Sequence, residues 1–141
     1  MDKHGCLLFD EMSIRESVAV NTQSLTYTGL VDFGEERESQ SLNDKANHGL
    51  VLMFQPLFAS YSQPVAVFAS RGPTNGITLA KLIMKAIILL EKAGAKIHGV
   101  ISDGAATNRK FWSEMGVSGK KNNLKTHFQH PSDNDGKVCF F

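Results

Sequence analysis

The chain has 141 residues, 42% of them apolar, and a formal net charge of +1. These values fit one soluble domain with a real core, short for a complete enzyme. No apolar run approaches the roughly 18 residues of a membrane span, and no basic segment followed by an apolar signal core opens the chain, so an intracellular protein is expected. Cys6 and Cys139 lie at opposite ends without metal-ligand spacing and read as reduced core thiols rather than a disulfide framework. Charge is uneven, with nine acids and four bases in residues 1–50 against five acids and eleven bases in residues 51–141.

In chain order, Cys6-Leu7-Leu8-Phe9 runs straight into Asp10, and the spacing predicts a buried strand over Leu7–Met12. Alternation of Leu25, Tyr27, Gly29 and Val31 with Thr26, Thr28, Leu30 and Asp32 predicts a second strand from Ser24 to Phe33. The Glu- and Ser-rich run Gly34 to Asn47 has no apolar period and reads as a mobile loop. Leu50 to Leu57 and Val65 to Ser70 read as a hairpin. Leu79, Leu82, Ile83, Ala86, Ile87 and Leu90 recur at helical spacing, which predicts a helix from about Thr78 to Ala93, capped by Thr78 and closed by Gly94.

Lys96 to Ser102 then predicts a strand delivering Asp103, and Thr107 to Met115 a second helix stopped by Gly116. Residues 117–136 read as loop. Val138 to Phe141 has the look of a strand cut off as it begins, which would leave an exposed apolar edge and a route to self-association. Together these elements predict an α/β fold, a mixed sheet with packed helices. The strands ending at Asp10 and Asp103 are expected to be parallel neighbours, joined by the long helix as a right-handed crossover.

An acid closing an apolar strand is not there for packing, because an unpaired buried carboxylate costs several kcal/mol or neutralises itself. Two carboxylates at one strand edge repel unless a cation sits between them, and hard oxygen ligands select Mg²⁺ or Mn²⁺. Metal-assisted phosphodiester chemistry follows as an expectation. The plainer alternatives are that Asp10 caps a turn and Asp103 caps the following helix. Asn108 and Arg109 stand where they could meet phosphate near a helix N-terminus, or are ordinary first-turn residues.

Other features point less far. Glu11 reads as solvated or salt-bridged, facing away from Asp10. Lys81, Lys85, Lys92 and Lys96 read as a solvated helix face. Lys120, Lys121 and Lys125, near His127 and His130, could face a polyanion, and the His-x-x-His spacing lacks a third ligand. Trp112 reads as core.

Leu7-Leu8-Phe9-Asp10-Glu11-Met12, Tyr27-Thr28-Gly29-Leu30-Val31, Leu50-Val51-Leu52-Met53-Phe54, Gln63-Pro64-Val65-Ala66-Val67-Phe68 and Ser102-Asp103-Gly104-Ala105-Ala106-Thr107-Asn108 closely resemble the RNase H-like catalytic domain of P-element-type DNA transposases, including their THAP-related members. The resemblance runs over nearly the whole chain and implies a single partial RNase H-like domain, residues 1–141, incomplete at its C-terminus. It implies a DDE-type nuclease and strand transferase acting on transposon-end DNA in the nucleus, with Asp10 the first catalytic, metal-binding acid and Asp103 the second.

The family's third acid, a glutamate, lies downstream of a GTP-binding insertion, and no part of this sequence matches it. Glu11 faces the wrong way, and Glu114 follows Asp103 too closely on a helix. Two cysteines cannot supply the zinc ligands of the THAP module, and Tyr61-Ser62 stands where the family has Trp-Lys. The expectation is a transposase fragment inactive as an isolated chain, against a non-catalytic, domesticated binding module of the same fold. A haloacid-dehalogenase-like phosphatase would need an aspartate where Met12 stands.

Overall fold

Residues 3–34 and 43–141 are described by the computed structural model. The central strand is β1, Lys3–Ser13, in which Leu7 and Phe9 turn into the core while Asp10 between Phe9 and Glu11 is exposed. This alternation follows from the two-residue period of a strand. On one side β1 pairs antiparallel with β4, His48–Pro56, which pairs antiparallel with β5, Gln63–Ser70. On the other it pairs parallel with β6, Ala95–Ile101. Beyond β6 lie β10, Lys137–Phe140, parallel to β6, and β9, His127–Gln129, antiparallel to β10. The six strands therefore run in the order β5-β4-β1-β6-β10-β9.

Helix α1, Gly76–Lys92, covers one face of this sheet because its stripe Leu79, Leu82, Ile83 and Ile87 is buried there. Such burial contributes on the order of 1.5–3 kcal/mol per side chain. Its N-cap is Asn75, whose side-chain oxygen accepts from the amides of Ile77 (3.1 Å) and Thr78 (2.9 Å). Thr78, expected to be the cap, lies inside the first turn, and the capping oxygen must come from the residue before the helix. Gly94, in the left-handed region at φ +86°, ends the turn after the C-cap Ala93, as the sequence indicated. Helix α2, Ala106–Glu114, follows β6 and is anchored by the fully buried Phe111, whose ring meets Phe9 and Phe140 edge-on.

Three expectations are corrected. The strand proposed for Ser24 to Phe33 is instead the small hairpin of β2, Ala19–Asn21, with β3, Thr26–Thr28, followed by isolated bridges of Leu30 to Lys45 and Asp32 to Ala69. Gly29, at φ +90°, sits so close to the Ser17 carbonyl that a Cβ would collide with it, and this turns the chain out of one continuous strand. Residues 117–136 are not all loop: β7, Ser118–Lys120, and β8, Asn123–Lys125, form a hairpin before β9. Strands of three residues are too short for a two-residue period to register in sequence. Finally, Val138–Phe140 is no exposed edge, since β10 lies between β6 and β9. Of the polar run Gly34 to Asn47, residues 35–42 lie outside the described residues, and Asp44 and Lys45 engage Val31 and Leu30.

Candidate metal centre

The parallel pairing of β1 with β6 ends at Leu8 opposite Ile101. Two residues beyond that last pair stand Asp10, still within β1, and Asp103, just past the end of β6, which places both acids at the same end of the sheet. Both line one open cleft of about 270 Å³ together with Leu8, Val51, Met53 and Ile101. The cleft lies on the face opposite α1, since Asp10 pairs with Val51, whereas the neighbouring rows Phe9–Leu52 and Glu11–Leu50 contribute Phe9, Leu52 and Leu50 to the core.

Each carboxylate is held by one oxygen. Oδ1 of Asp10 accepts from the Glu11 amide at 2.8 Å. Oδ1 of Asp103 accepts from the Ala105 amide at 3.0 Å and from Nδ2 of Asn108 at 2.6 Å. The second oxygen of each acid has no protein partner among the described residues. Asn108 is itself buried and also reaches the Asp103 carbonyl at 3.3 Å. Phe111 pins α2 in the core, and Trp112 Nε1 donates to Ser102 Oγ at 3.3 Å, so the helix fixes where Asp103 can point. Two carboxylates with open oxygens suit Mg²⁺, which is commonly held by one or two carboxylates, with water and phosphate filling the rest. Among the described residues no group of three ligating side chains converges.

Glu11 points to the other face, where its Oε1 accepts from the Thr74 amide at 2.7 Å. It ties β1 to the loop before α1 while staying partly exposed, and it has no ion-pair partner among the described residues. Glu114 pairs with Lys110 at 2.6 Å, one turn along α2. His130 is buried against Glu91 at 2.6 Å rather than free in a loop, while Lys120, Lys121 and Lys125 are exposed on the β7–β8 hairpin. The two cysteines, distant in sequence, both register with Gly99 of β6 and are free. Burial, and then the nearby Cys139, push the Cys6 thiol up from its ordinary value. Another cavity, about 370 Å³ between α1 and the β4–β5 edge, is lined by Phe33, Val65, Phe68, Leu82 and Leu89 among others, with no acid among the described residues that line it.

The model of the TNP-like RNase H N-terminal domain family matches residues 1–116. The chain belongs to that transposase family. As a member of the RNase H N-terminal family, it is 24% identical over 135 residues to the human DNA transposase THAP9, covering 96% of this chain and 15% of that protein. It is 25% identical over 140 residues to the Drosophila melanogaster transposable element P transposase, covering 99% of this chain and again 15% of the relative. The chain thus spans about a seventh of the length of these curated relatives. A solved structure, the Drosophila P element transposase strand transfer complex, superimposes with a TM-score of 0.70 at 24% identity, covering 99% of this chain and 26% of that one. The fold is RNase H-like, a mixed α/β sheet with packed helices.

Sequence reasoning did not identify Asn108 as the residue that holds Asp103, nor Thr74 as the partner of Glu11. A signal for the first existed: a carboxylate leaving a strand with an amide five residues on, in the first turn of a helix, is a pair able to hydrogen-bond back.

Proposed function

We propose that this domain supplies two of the carboxylates of a DDE-type DNA nuclease and strand-transfer site, with Asp10 and Asp103 as catalytic residues and ligands of Mg²⁺ or Mn²⁺. The observation that supports this best is the pair of aspartates at the same end of two adjoining parallel strands, Asp10 within β1 and Asp103 just past β6, each with one oxygen anchored and one open toward a shared cleft. When bound, the divalent ion would polarise a phosphodiester and favour a hydroxyl nucleophile. The protein's own part is positional. The Glu11 and Ala105 amides and Asn108 orient the carboxylates, and Arg109, exposed in the first turn of α2, stands where it can meet a DNA phosphate. We take the site of action to be nuclear and the substrate to be transposon-end DNA, in keeping with relatives named as a DNA transposase and a transposable element transposase.

The 141-residue chain alone is expected not to cut or join DNA, because a third carboxylate completes such sites. Binding of the ion to an incomplete oxygen set should be weak, about millimolar or weaker for Mg²⁺ and somewhat tighter for Mn²⁺. The test is an NMR titration with Mg²⁺, followed by paramagnetic broadening with Mn²⁺. Shifts should centre on Asp10, Asp103 and Asn108 and vanish in the Asp10→Asn, Asp103→Asn double variant. Binding that survives in that variant would place the ion elsewhere and sink the proposal. Mn²⁺-dependent nicking of supercoiled DNA, abolished by Asp10→Asn, would refute the expectation of inactivity.

A further inference from the structure

The segment from Ser17 to Val31 contains no charged residue, and Val18, Val20, Leu25 and Tyr27 stand exposed in it. It leaves β1 just beyond the candidate metal centre and returns as the β2–β3 hairpin. Val20 and Tyr27 are directly paired across the hairpin, so they share one face, on which Tyr27 is 67% exposed. At the tip, Leu25 is 81% exposed and has φ +54°, the one non-glycine residue in the left-handed region among the described residues. Holding an apolar, unbranched-at-Cβ side chain outward at a strained position costs free energy and does nothing for the core. The tip is nonetheless built, since Asn21 Oδ1 accepts from the amides of Gln23 and Ser24, and Ser24 and Thr26 share a 2.7 Å hydrogen bond.

The surroundings say what such a face is for. Arg15 leads into the hairpin, Arg71 follows the end of β5 beside its root, and Arg109 follows Asp103; all three are exposed and have no ion-pair partner among the described residues. Glu16, Asp32 and Asp44 offset part of this charge, and Asp32 also accepts from the Gly34 amide at 2.8 Å. The hairpin itself offers a polyanion no repulsion, hydroxyls and amides that suit sugar and phosphate, and an aromatic face. A cleft of about 470 Å³, lined by Tyr27, Gly29, Asp32 and Ala69 among others, runs along its root.

From this arrangement we infer that the β2–β3 hairpin is a DNA-contacting arm that engages an unpaired stretch of strand beside the metal centre, with Tyr27 stacking on a base and Arg15 and Arg71 meeting the flanking phosphates. Unpaired DNA is the fitting occupant because an exposed aromatic ring can stack on a base only where that base is not already stacked within a duplex. The inference rests on the reading of this domain as a DNA-processing one.

The test is fluorescence anisotropy on the full 141-residue chain, using a labelled DNA duplex with a single-stranded overhang and a blunt duplex of the same sequence. The variants are Tyr27→Ser, Leu25→Asn and, separately, Arg15→Ala with Arg71→Ala. All lie on the surface, so unchanged circular dichroism and melting should accompany them. Tyr27→Ser should weaken overhang binding roughly 5- to 150-fold, the range of one base–aromatic stack, and leave the blunt duplex little affected. The arginine variant should lower the salt slope by roughly 0.7–0.9 for each phosphate that is no longer neutralised. If Tyr27→Ser and Leu25→Asn leave overhang binding unchanged while the arginine variant weakens it, the arm is refuted and the DNA reading stands. If the wild-type chain binds neither probe, the DNA reading fails with it. A hairpin variant that changes only the oligomeric state assigns the face to a second copy and overturns the inference.

Discussion

Asp103 does two things that substitution can separate. Its Oδ1 caps the approach to α2 by accepting from the Ala105 amide and from the buried Asn108, while its other oxygen faces the cleft. In Asp103→Ala both hydrogen bonds go, and the Asn108 Nδ2, in a residue only 5% exposed, keeps only the longer hydrogen bond to the Asp103 carbonyl at 3.3 Å. Water can reach the exposed Asp103 side of the pair, so the cost belongs at the lower end for a hydrogen-bonded carboxylate, about 1–2 kcal/mol. With an unfolding entropy of roughly 2.1 cal/mol/K per residue, 141 residues give about 0.3 kcal/mol/K, so the melting temperature should fall by about 3–7 °C. Asp103→Asn keeps an oxygen in the same place for both donors and should lose less than about 2 °C by the same conversion. Metal-induced NMR shifts should disappear in both variants. Calorimetry and the Mg²⁺ titration, run on the same samples, check the two halves. Equal destabilisation by Asn and Ala would mean that the charge, not the geometry of the acceptor, holds α2. Retained metal shifts in Asp103→Asn would remove Asp103 from the site.

Gly76 lies where α1 begins against α2, and a Cβ there would fall 2.8 Å from the Phe111 amide nitrogen and 2.7 Å from Lys110 Cγ. Gly76→Ala should therefore cost about 1–3 kcal/mol by overpacking and disturb the Asn108 resonances; a neutral melt would show that the helices can part freely. Thr74 buries a hydroxyl with no partner among the described residues, so Thr74→Val should be neutral or stabilising by up to about 1 kcal/mol in urea unfolding, and a clear loss would reveal a bridging water. His98 is held below its ordinary value near 6.5 by burial first, then by His4, Lys96 and His130, with Glu91 opposing. The folded state therefore takes up that proton less readily than the unfolded one, and stability should fall as pH drops through about 6.5. His98→Asn should flatten that slope in denaturant titrations near neutral and mildly acidic pH, and an unaltered slope would remove His98 as its source.

The parts of the fold legible in sequence are those whose side chains repeat over many residues. α1 shows itself through a stripe several turns long, and the β4–β5 hairpin through two apolar runs with a polar turn between them. Asp10 and Asp103 stand out because each interrupts an apolar strand. What escaped is short or non-local. β2, β7, β8 and β9 have three residues each, and their pairing is decided by turns such as the Asn21 side-chain turn and the Gly29 approach to Ser17. The tie between Glu11 and Thr74 escaped for a different reason. Thr74 and Glu11 are 63 residues apart, and nothing local in either marks the other as its partner.

The division of labour around β1 explains why two adjacent acids have unlike fates. Asp10 and Glu11 differ by one residue, hence by one face of the sheet. On the covered face Glu11 can be kept only by giving its carboxylate a donor, and the Thr74 amide supplies one at 2.7 Å, fastening the strand to the entry of α1. On the open face Asp10 needs no such compensation, since water can solvate it, and its neighbour's amide occupies just one of its oxygens. A one-residue slip of β1 against β4 would exchange these roles, burying Asp10 without a donor and opening the core row of Leu7 and Phe9 to solvent. The same pairing that hides Leu7 and Phe9 therefore presents Asp10 to the cleft, and the fold cannot lose the orientation of that acid without losing the core of the sheet.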